Sequence, residues 1–347
     1  MVNPVLVEVS RGGIVESRHT GAFAVVDSSG KTLSARGDID LAIFPRSAIK
    51  AFQCLPVVES GAADEYGFSD AEIALACASH SGEAEHIRLA RSMLAKAGNR
   101  EDHYECGAHW PQATEAFHHL IRAGAQPSPV HNNCSGKHAA MLALARKLGV
   151  DTRGYTSRDH PVQRAIARTI SALCDVDADA LACGIDGCSV PTWAIPLRKL
   201  ALGFARFGSG DGLPEARRKA AARITGAVRD FPFMVAGTDR YCTKLMQMVP
   251  RAFVKTGAEG VFCSAVSHAG LGIALKCDDG ANRASEVLMA AILAGLPVWN
   301  ELERDALRFF SHADLWNWRK LRVGEIRVVD MELQGKGAHA PESISSI

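Results

Sequence analysis

In the stretch RSAIKAF, Ser47 and Lys50 stand three residues apart at what reads as a helix start. Residues at i and i+3 share a helix face, so the amine lies within hydrogen-bond reach of the hydroxyl. A serine oxygen attacks poorly until a base takes its proton, and a lysine serves once burial or a neighbouring cation lowers its pKa. Backbone N–H groups and the positive end of the helix dipole would steady a developing oxyanion. Taken alone the tetrapeptide equally fits a helix N-cap with a solvated lysine. Two further segments add to it. VKTGAEG offers Lys255, Thr256 and Gly257 where a strand opens a hairpin, and ASHSGE offers Ser79, His80 and Ser81 at the end of a helix.

A second constellation lies in VHNNCSGKHAA, residues 130–140. Gly136 and Lys137 resemble the end of a phosphate-binding loop, but His131 stands where that motif needs a glycine, and His138 replaces the hydroxyl residue that would hold magnesium. A metal-ligand reading remains. Cys134 and His138 are four apart on a helix, and ACGIDGC supplies Cys183, Asp186 and Cys188 on a later turn. Two thiolates, a nitrogen and one open place suit zinc; the competing reading is buried thiols. Glu83 with His86, and Glu115 with His118, repeat the Glu-x-x-His element of di-iron bundles. In ATEAFHHLIRAG, however, the apolar stripe is Ala113, Phe117, Leu120 and Ile121, which turns Glu115, His118 and Arg122 toward water.

These groups need a scaffold. The 347 residues carry 39 basic and 38 acidic side chains, a balance that advertises neither nucleic acid nor an anionic membrane. Nothing reads as a membrane span or a secretory leader, so a cytoplasmic protein is expected, and its ten cysteines read as free thiols or ligands rather than disulfides. GAFAVVDSSGKTLSARG reads as a hairpin, with an extended piece before it. From Arg46 to about residue 245 apolar residues recur at helical spacing, interrupted by a short strand at ALACGIDG. Beyond Pro250, RAFVKTG, GVFCSAVS, GLGIALKCDDG and KLRVGEIRVVDMEL read as strands, and ASEVLMAAILAGL as a helix. The expected class is α+β: one antiparallel sheet built from N- and C-terminal strands, with a helical subdomain inserted. In numbers, that is a sheet part over about 1–60 and 245–333, a helical part over about 61–244, and a mobile tail at 335–347.

Ser-x-x-Lys on a helix after a hairpin, Ser-x-Ser in the helical middle and Lys-Thr-Gly on a later strand resemble the ordered signature of serine β-lactamases and penicillin-binding proteins. His80 and Ser81 depart from its familiar Asp-Asn. Over nearly its whole length, through VEVSRGGIVESRHTGAFAVVD, FPRSAIKAFQ, ASHSGE, HNNCSGKHAAML, GIDGCSVP and VKTGAEGVF, the chain is more closely similar to the rhizobial-type (class 3) L-asparaginases, a family whose fold resembles that of the serine β-lactamases.

That resemblance implies hydrolysis of L-asparagine to L-aspartate and ammonia by a homodimer. It implies two Ser-Lys pairs, Ser47 with Lys50 and Ser79 with Lys255, and zinc held by Cys134, Lys137 and Cys188. His138 then stands behind the ligands or faces substrate. Asp186 suits the substrate's α-ammonium and Arg46 its α-carboxylate, or each sits in an ion pair. Three ammonium groups crowd one cleft, so at least one of Lys50, Lys137 and Lys255 is expected to titrate far below a free lysine. The rival readings are a β-lactamase or peptidase of the same fold, and a non-catalytic zinc or thiol sensor working through Cys134 and Cys188.

Overall fold

The computed structural model describes residues 2–329, so the expected mobile tail lies outside the described residues. β1 (Val5–Arg11) turns at Gly12 and Gly13, both at positive φ, into β2 (Ile14–Asp27), which folds back at Ser28-Ser29-Gly30 onto β3 (Thr32–Arg36). A short β4 (Ala42–Ile43) leads to a 3-10 turn, Arg46–Ile49. Helices α1 (Lys50–Glu59), α2 (Ala62–Glu65), α3 (Asp70–Ala76), α4 (Ala84–Lys96), α5 (Thr114–Arg122), α6 (Ser135–Lys147) and α7 (Pro161–Cys174) follow. Three short strands come next, β5 (Cys183–Ile185), β6 (Pro191–Trp193) and β7 (Ile195–Pro196), then α8 (Leu197–Ser209), α9 (Glu215–Asp230), α10 (Pro232–Ala236) and α11 (Tyr241–Met248). The chain closes with β8 (Phe253–Thr256), β9 (Val261–Val266), β10 (Leu271–Cys277), α12 (Asn282–Ala294), α13 (Glu301–Phe310), β11 (His312–Trp316) and β12 (Arg322–Val328).

Strands from both ends form one antiparallel sheet in the order β11-β12-β1-β2-β10-β9-β8, with β3 also on β2, as the α+β expectation requires. β2 joins its parts: Ile14–Thr20 pairs with β1, and Gly21–Asp27 with β10. The extended piece expected before the hairpin is thus β1, a turn and the first part of β2, which runs on without a break into the first hairpin strand. α8 packs on β2, β9 and β10, and α12 on β1, β9, β10 and β12. Every residue of β9 is consequently buried, although successive side chains leave a strand on alternate faces.

The helices start where local chemistry dictates. Ser69 and Glu72 form a reciprocal capping box on α3, and His160 caps α7 ahead of Pro161 at its first position. Phe52 of α1 meets Phe204 and Phe207 of α8 at 4.6 and 5.7 Å between ring centroids, and Phe207 meets Phe253 of β8 at 5.4 Å. This aromatic cluster pins α1, which carries Lys50, to β8, which carries Lys255. Burying each ring contributes about 1.5–3 kcal/mol.

Several elements differ from expectation. The run from Arg46, read as helix throughout, opens as a 3-10 turn. α5 has the expected wet face, with Glu115, His118 and Arg122 exposed, but its apolar face is not covered either: none of its residues is buried.

Candidate active site

Ser47 sits half-buried on the 3-10 turn. Arg46 just before it adopts φ +52, a left-handed conformation that residues with a side chain populate sparsely. Lys50 opens α1 and is buried, its Nζ donating to Ser79 Oγ at 2.7 Å and to the carbonyl of Ala78. The resemblance pairs Ser47 with Lys50 and Ser79 with Lys255; the serine–lysine hydrogen bond in the structure joins Lys50 to Ser79. Lys255, also buried, donates to the carbonyl of Thr256 at 3.0 Å.

Packing brings Lys255 to this corner. β8 and β9 lie against the turn that carries Ser47. Gly257, just past β8, permits the approach, because a Cβ there would stand 2.5 Å from the carbonyl oxygen of Pro45. As expected of at least one lysine in this cleft, Lys255 is pushed down, to about 7: burial penalises its charge, and the charge of Lys50 repels it.

The thiol cluster forms at the start of α6, where Gly136 lets the helix cross α3 closely; a Cβ would meet Leu75 at 2.5 Å. Lys137 Nζ donates to Cys188 Sγ at 3.0 Å. The Cys134 thiol donates to Asn133 Oδ1 at 3.0 Å. Its closeness, reinforced by the Lys137 charge, lowers Cys188 to about 4 in spite of burial. That same closeness, with burial, pushes Cys134 up to about 12. Burial works against the Lys137 ammonium, but the Cys188 charge outweighs it and raises the lysine. Among the described residues no group of three or more histidine, cysteine, aspartate and glutamate side chains stands together as a metal site. The nitrogen beside Cys188 is that of Lys137. Two sulfurs and a nitrogen drawn together from α6 and the β5–β6 turn are a donor set that fits zinc, with a fourth place open, once the amine gives up its proton.

Arg46 and Asp186 hold each other at 2.8 Å, tying the Ser47 turn to the loop of Cys188. Burial would raise Asp186, but the charges of Lys137 and Arg46 prevail and lower it. His138 is completely buried against the hydroxyl of Tyr155 at 2.7 Å, and its Nε2 has no partner. Burial, then the charge of Lys137, lowers it to about 3.

His80, the departure from Asp in the middle element, is a brace. The Gly82 N–H donates to its Nδ1 at 3.1 Å, which leaves Nε2–H to donate to Ser135 Oγ at 2.9 Å and fixes the Ser79–Ser81 segment to α6. His80 stacks on His86, whose Nε2–H reaches the carbonyl of Phe233. Glu83 and His86 therefore cap and pack α4, with His86 completely buried. Sequence reading passed over Arg240, in the loop before α11: it belongs to no motif and only folding brings it beside Ser81, 3.5 Å from Nη1 to Oγ.

Residues 7–328 match the family described as L-asparaginase II. Among solved structures, a β-lactamase from Mycobacterium bovis aligns with TM-score 0.40 and 13% identity over 84% of this chain and 95% of its own. A mutant simvastatin synthase from Aspergillus terreus aligns with TM-score 0.34 and 13% identity over 84% of this chain and 91% of its own. No curated protein matches the chain.

Proposed function

The chain belongs to the L-asparaginase II family and is an asparaginase-type amidohydrolase; from that premise we propose that it hydrolyses L-asparagine to L-aspartate and ammonia through a serine acyl-enzyme. The observation that carries the reading is the buried Lys50–Ser79 hydrogen bond, 2.7 Å long, in a corner where Lys255 is lowered to about 7. Burial, and then the charge of Lys50, brings Lys255 to where it offers a lone pair near neutral pH.

In this mechanism Ser47 Oγ attacks the side-chain amide carbon while its proton passes, by way of Lys50, to the lone pair of Lys255. The C–N bond breaks, and ammonia leaves with a proton delivered through Ser79 and Lys255. Water then attacks the β-aspartyl ester, frees aspartate and returns the proton to Ser47. The half-buried position of Ser47 and the strained Arg46 before it favour Ser47 as nucleophile. A second reading has Ser79 attack, with Lys50 as its base, and it rests on that same short contact.

Cys134, Lys137 and Cys188 would hold zinc, which when bound supplies a fixed positive charge next to the reacting corner and a tie between α6 and the β5–β6 turn. The reading includes a homodimer, as the resemblance implies, and a cytoplasmic setting. Ten free cysteines and the lack, among the described residues, of a helix long and apolar enough to cross a membrane are consistent with that setting.

The test is ammonia release from L-asparagine by the purified wild type and by Ser47→Ala and Ser79→Ala, with mass spectrometry of quenched enzyme. An aspartyl adduct on Ser47 is expected; an adduct on Ser79 selects the second reading. Wild type that releases no ammonia but turns nitrocefin over would replace the asparaginase reading with a β-lactamase one.

A further inference from the structure

Arg240 is half-buried, and no carboxylate among the described residues lies within ion-pair distance of it. Its Nη1 reaches two neutral acceptors, Gln112 Oε1 at 2.9 Å and Ser81 Oγ at 3.5 Å. The half-buried carboxyl of Glu286, pushed up by burial, feels the Arg240 charge without forming an ion pair with it, so the guanidinium's fork of donors, which suits a carboxylate, is left with neutral partners only.

Its surroundings form a site. Arg240 lines a cavity of about 690 Å³ together with Ser81, Gln112, Glu115 and Asp239. Asp239 is paired with Lys244, and the Glu83 carboxylate on the same wall is taken by the N–H and hydroxyl of Thr238. The cavity is lined by Ser81 but not by Ser47, Lys50, Ser79 or Lys255, and it connects to their corner through the neighbouring chain on two sides. Ser79 N–H donates to the carbonyl of Val235, and Ser81 Oγ to that of Ala236, immediately before the Arg240 loop. On the other side Cys242 lies 3.6 Å from the hydroxyl of Thr256, the neighbour of Lys255. Arg46, the arginine expected to take the substrate's carboxylate, is engaged with Asp186 instead.

We infer that Arg240 is the residue that binds the α-carboxylate of the amino-acid substrate, with Gln112 holding the guanidinium in place. The inference rests on the asparaginase reading and adds to it the anchor that distinguishes an amino acid from a simple amide. A carboxylate displaces no existing ion pair when it arrives, which makes this arginine the low-cost partner of the two.

The experiment compares L-asparagine with 3-aminopropanamide, which is asparagine without its carboxylate. Arg240→Ala is expected to raise KM for asparagine between about 10- and 100-fold with kcat little changed, and to leave kcat/KM for 3-aminopropanamide as it was. Arg240→Lys should recover part of the loss. Equal damage to both substrates, or an unchanged KM for asparagine, overturns the assignment. Should wild type release no ammonia from either amide, the asparaginase reading falls, and calorimetry with L-aspartate decides the carboxylate site by itself. Binding that Arg240→Ala weakens tenfold or more supports it, while equal binding, or none by wild type, refutes it.

Discussion

Replacing Lys255 by methionine removes a buried charge and keeps most of the side chain's volume, so its effect on stability should depend on pH in a way no surface substitution reproduces. Lys255 falls from an ordinary 10.5 to about 7 in the fold. Between those values the unfolded chain binds a proton that the native site releases, and stability rises with pH. At about 1.4 kcal/mol per pH unit, the whole fall corresponds to about 5 kcal/mol of destabilisation, present in full below pH 7 and relieved as the pH approaches 10.5. Full burial means that solvent screening removes little of it. Urea unfolding of wild type and Lys255→Met at pH 7 and pH 9 measures the difference directly. Wild type should gain about 2 kcal/mol relative to the variant over that interval. The same titration should appear as an acid limb near pH 7 in wild-type kcat/KM, since the lone pair is lost below it. Parallel stability curves from pH 7 to 9 would mean that Lys255 keeps its proton in the native state, and its part as the base would fall with it.

Other perturbations read other parts of the site. Lys50→Met and Ser79→Ala each break the contact between the two pairs and should lower kcat by about a thousandfold or more, measured as ammonia release, with the double variant little worse than either single one because the groups act as a unit. Zinc is expected to co-purify, and its removal by a chelator to lower Tm and activity together; at a hundredfold excess over Kd the ion would contribute about 3 kcal/mol. Lys137→Met should abolish the zinc content measured by elemental analysis. Phe52→Ala opens the aromatic cluster and should cost about 3–5 kcal/mol in urea unfolding, with kcat falling as α1 and β8 lose their common anchor.

Much of the scaffold was legible because it follows local rules. The Ser28-Ser29-Gly30 hairpin, the Ser69 capping box and the glycine-bounded strands after Pro250 each announce themselves within a few residues. α13 and β11 were passed over, although Asn300 and Glu303 form a reciprocal capping box of the kind a sequence displays. β2 was split in two because its halves pair with different partners, and pairing is not a local property. The site follows the same division. Motifs point to Ser47, Lys50, Ser79 and Lys255, but not to which serine meets which amine, since that depends on how α1 and the segment after α3 cross. Arg46 and Asp186 suggest themselves by charge, and a separation of 140 positions along the chain gives no sign that they engage each other. Arg240 was invisible for the converse reason: an arginine is ordinary in sequence and unusual only once folding leaves it without a carboxylate.

Gly257 offers a test of geometry with every chemical group left in place. A methyl group there would stand 2.5 Å from the Pro45 carbonyl oxygen and 3.0 Å from Val261 Cβ, and backbone on one side and a strand on the other leave it nowhere to go. Gly257→Ala must therefore push β8 and the Pro45–Ile49 turn apart by a sizeable fraction of an ångström, at a cost of about 1–3 kcal/mol. Ser47, Lys50, Ser79 and Lys255 all remain, yet the distance between Lys255 and the serine turn grows. Misplacement by about 1 Å costs a reaction of this type about a hundredfold in rate. The expected variant is folded, retains its zinc, melts a few degrees lower and turns over about a hundredfold more slowly. A variant with the lowered Tm but undiminished kcat would show that Lys255 need not lie against the Ser47 turn, and the lone pair that receives the serine proton would then have to come from Lys50 alone.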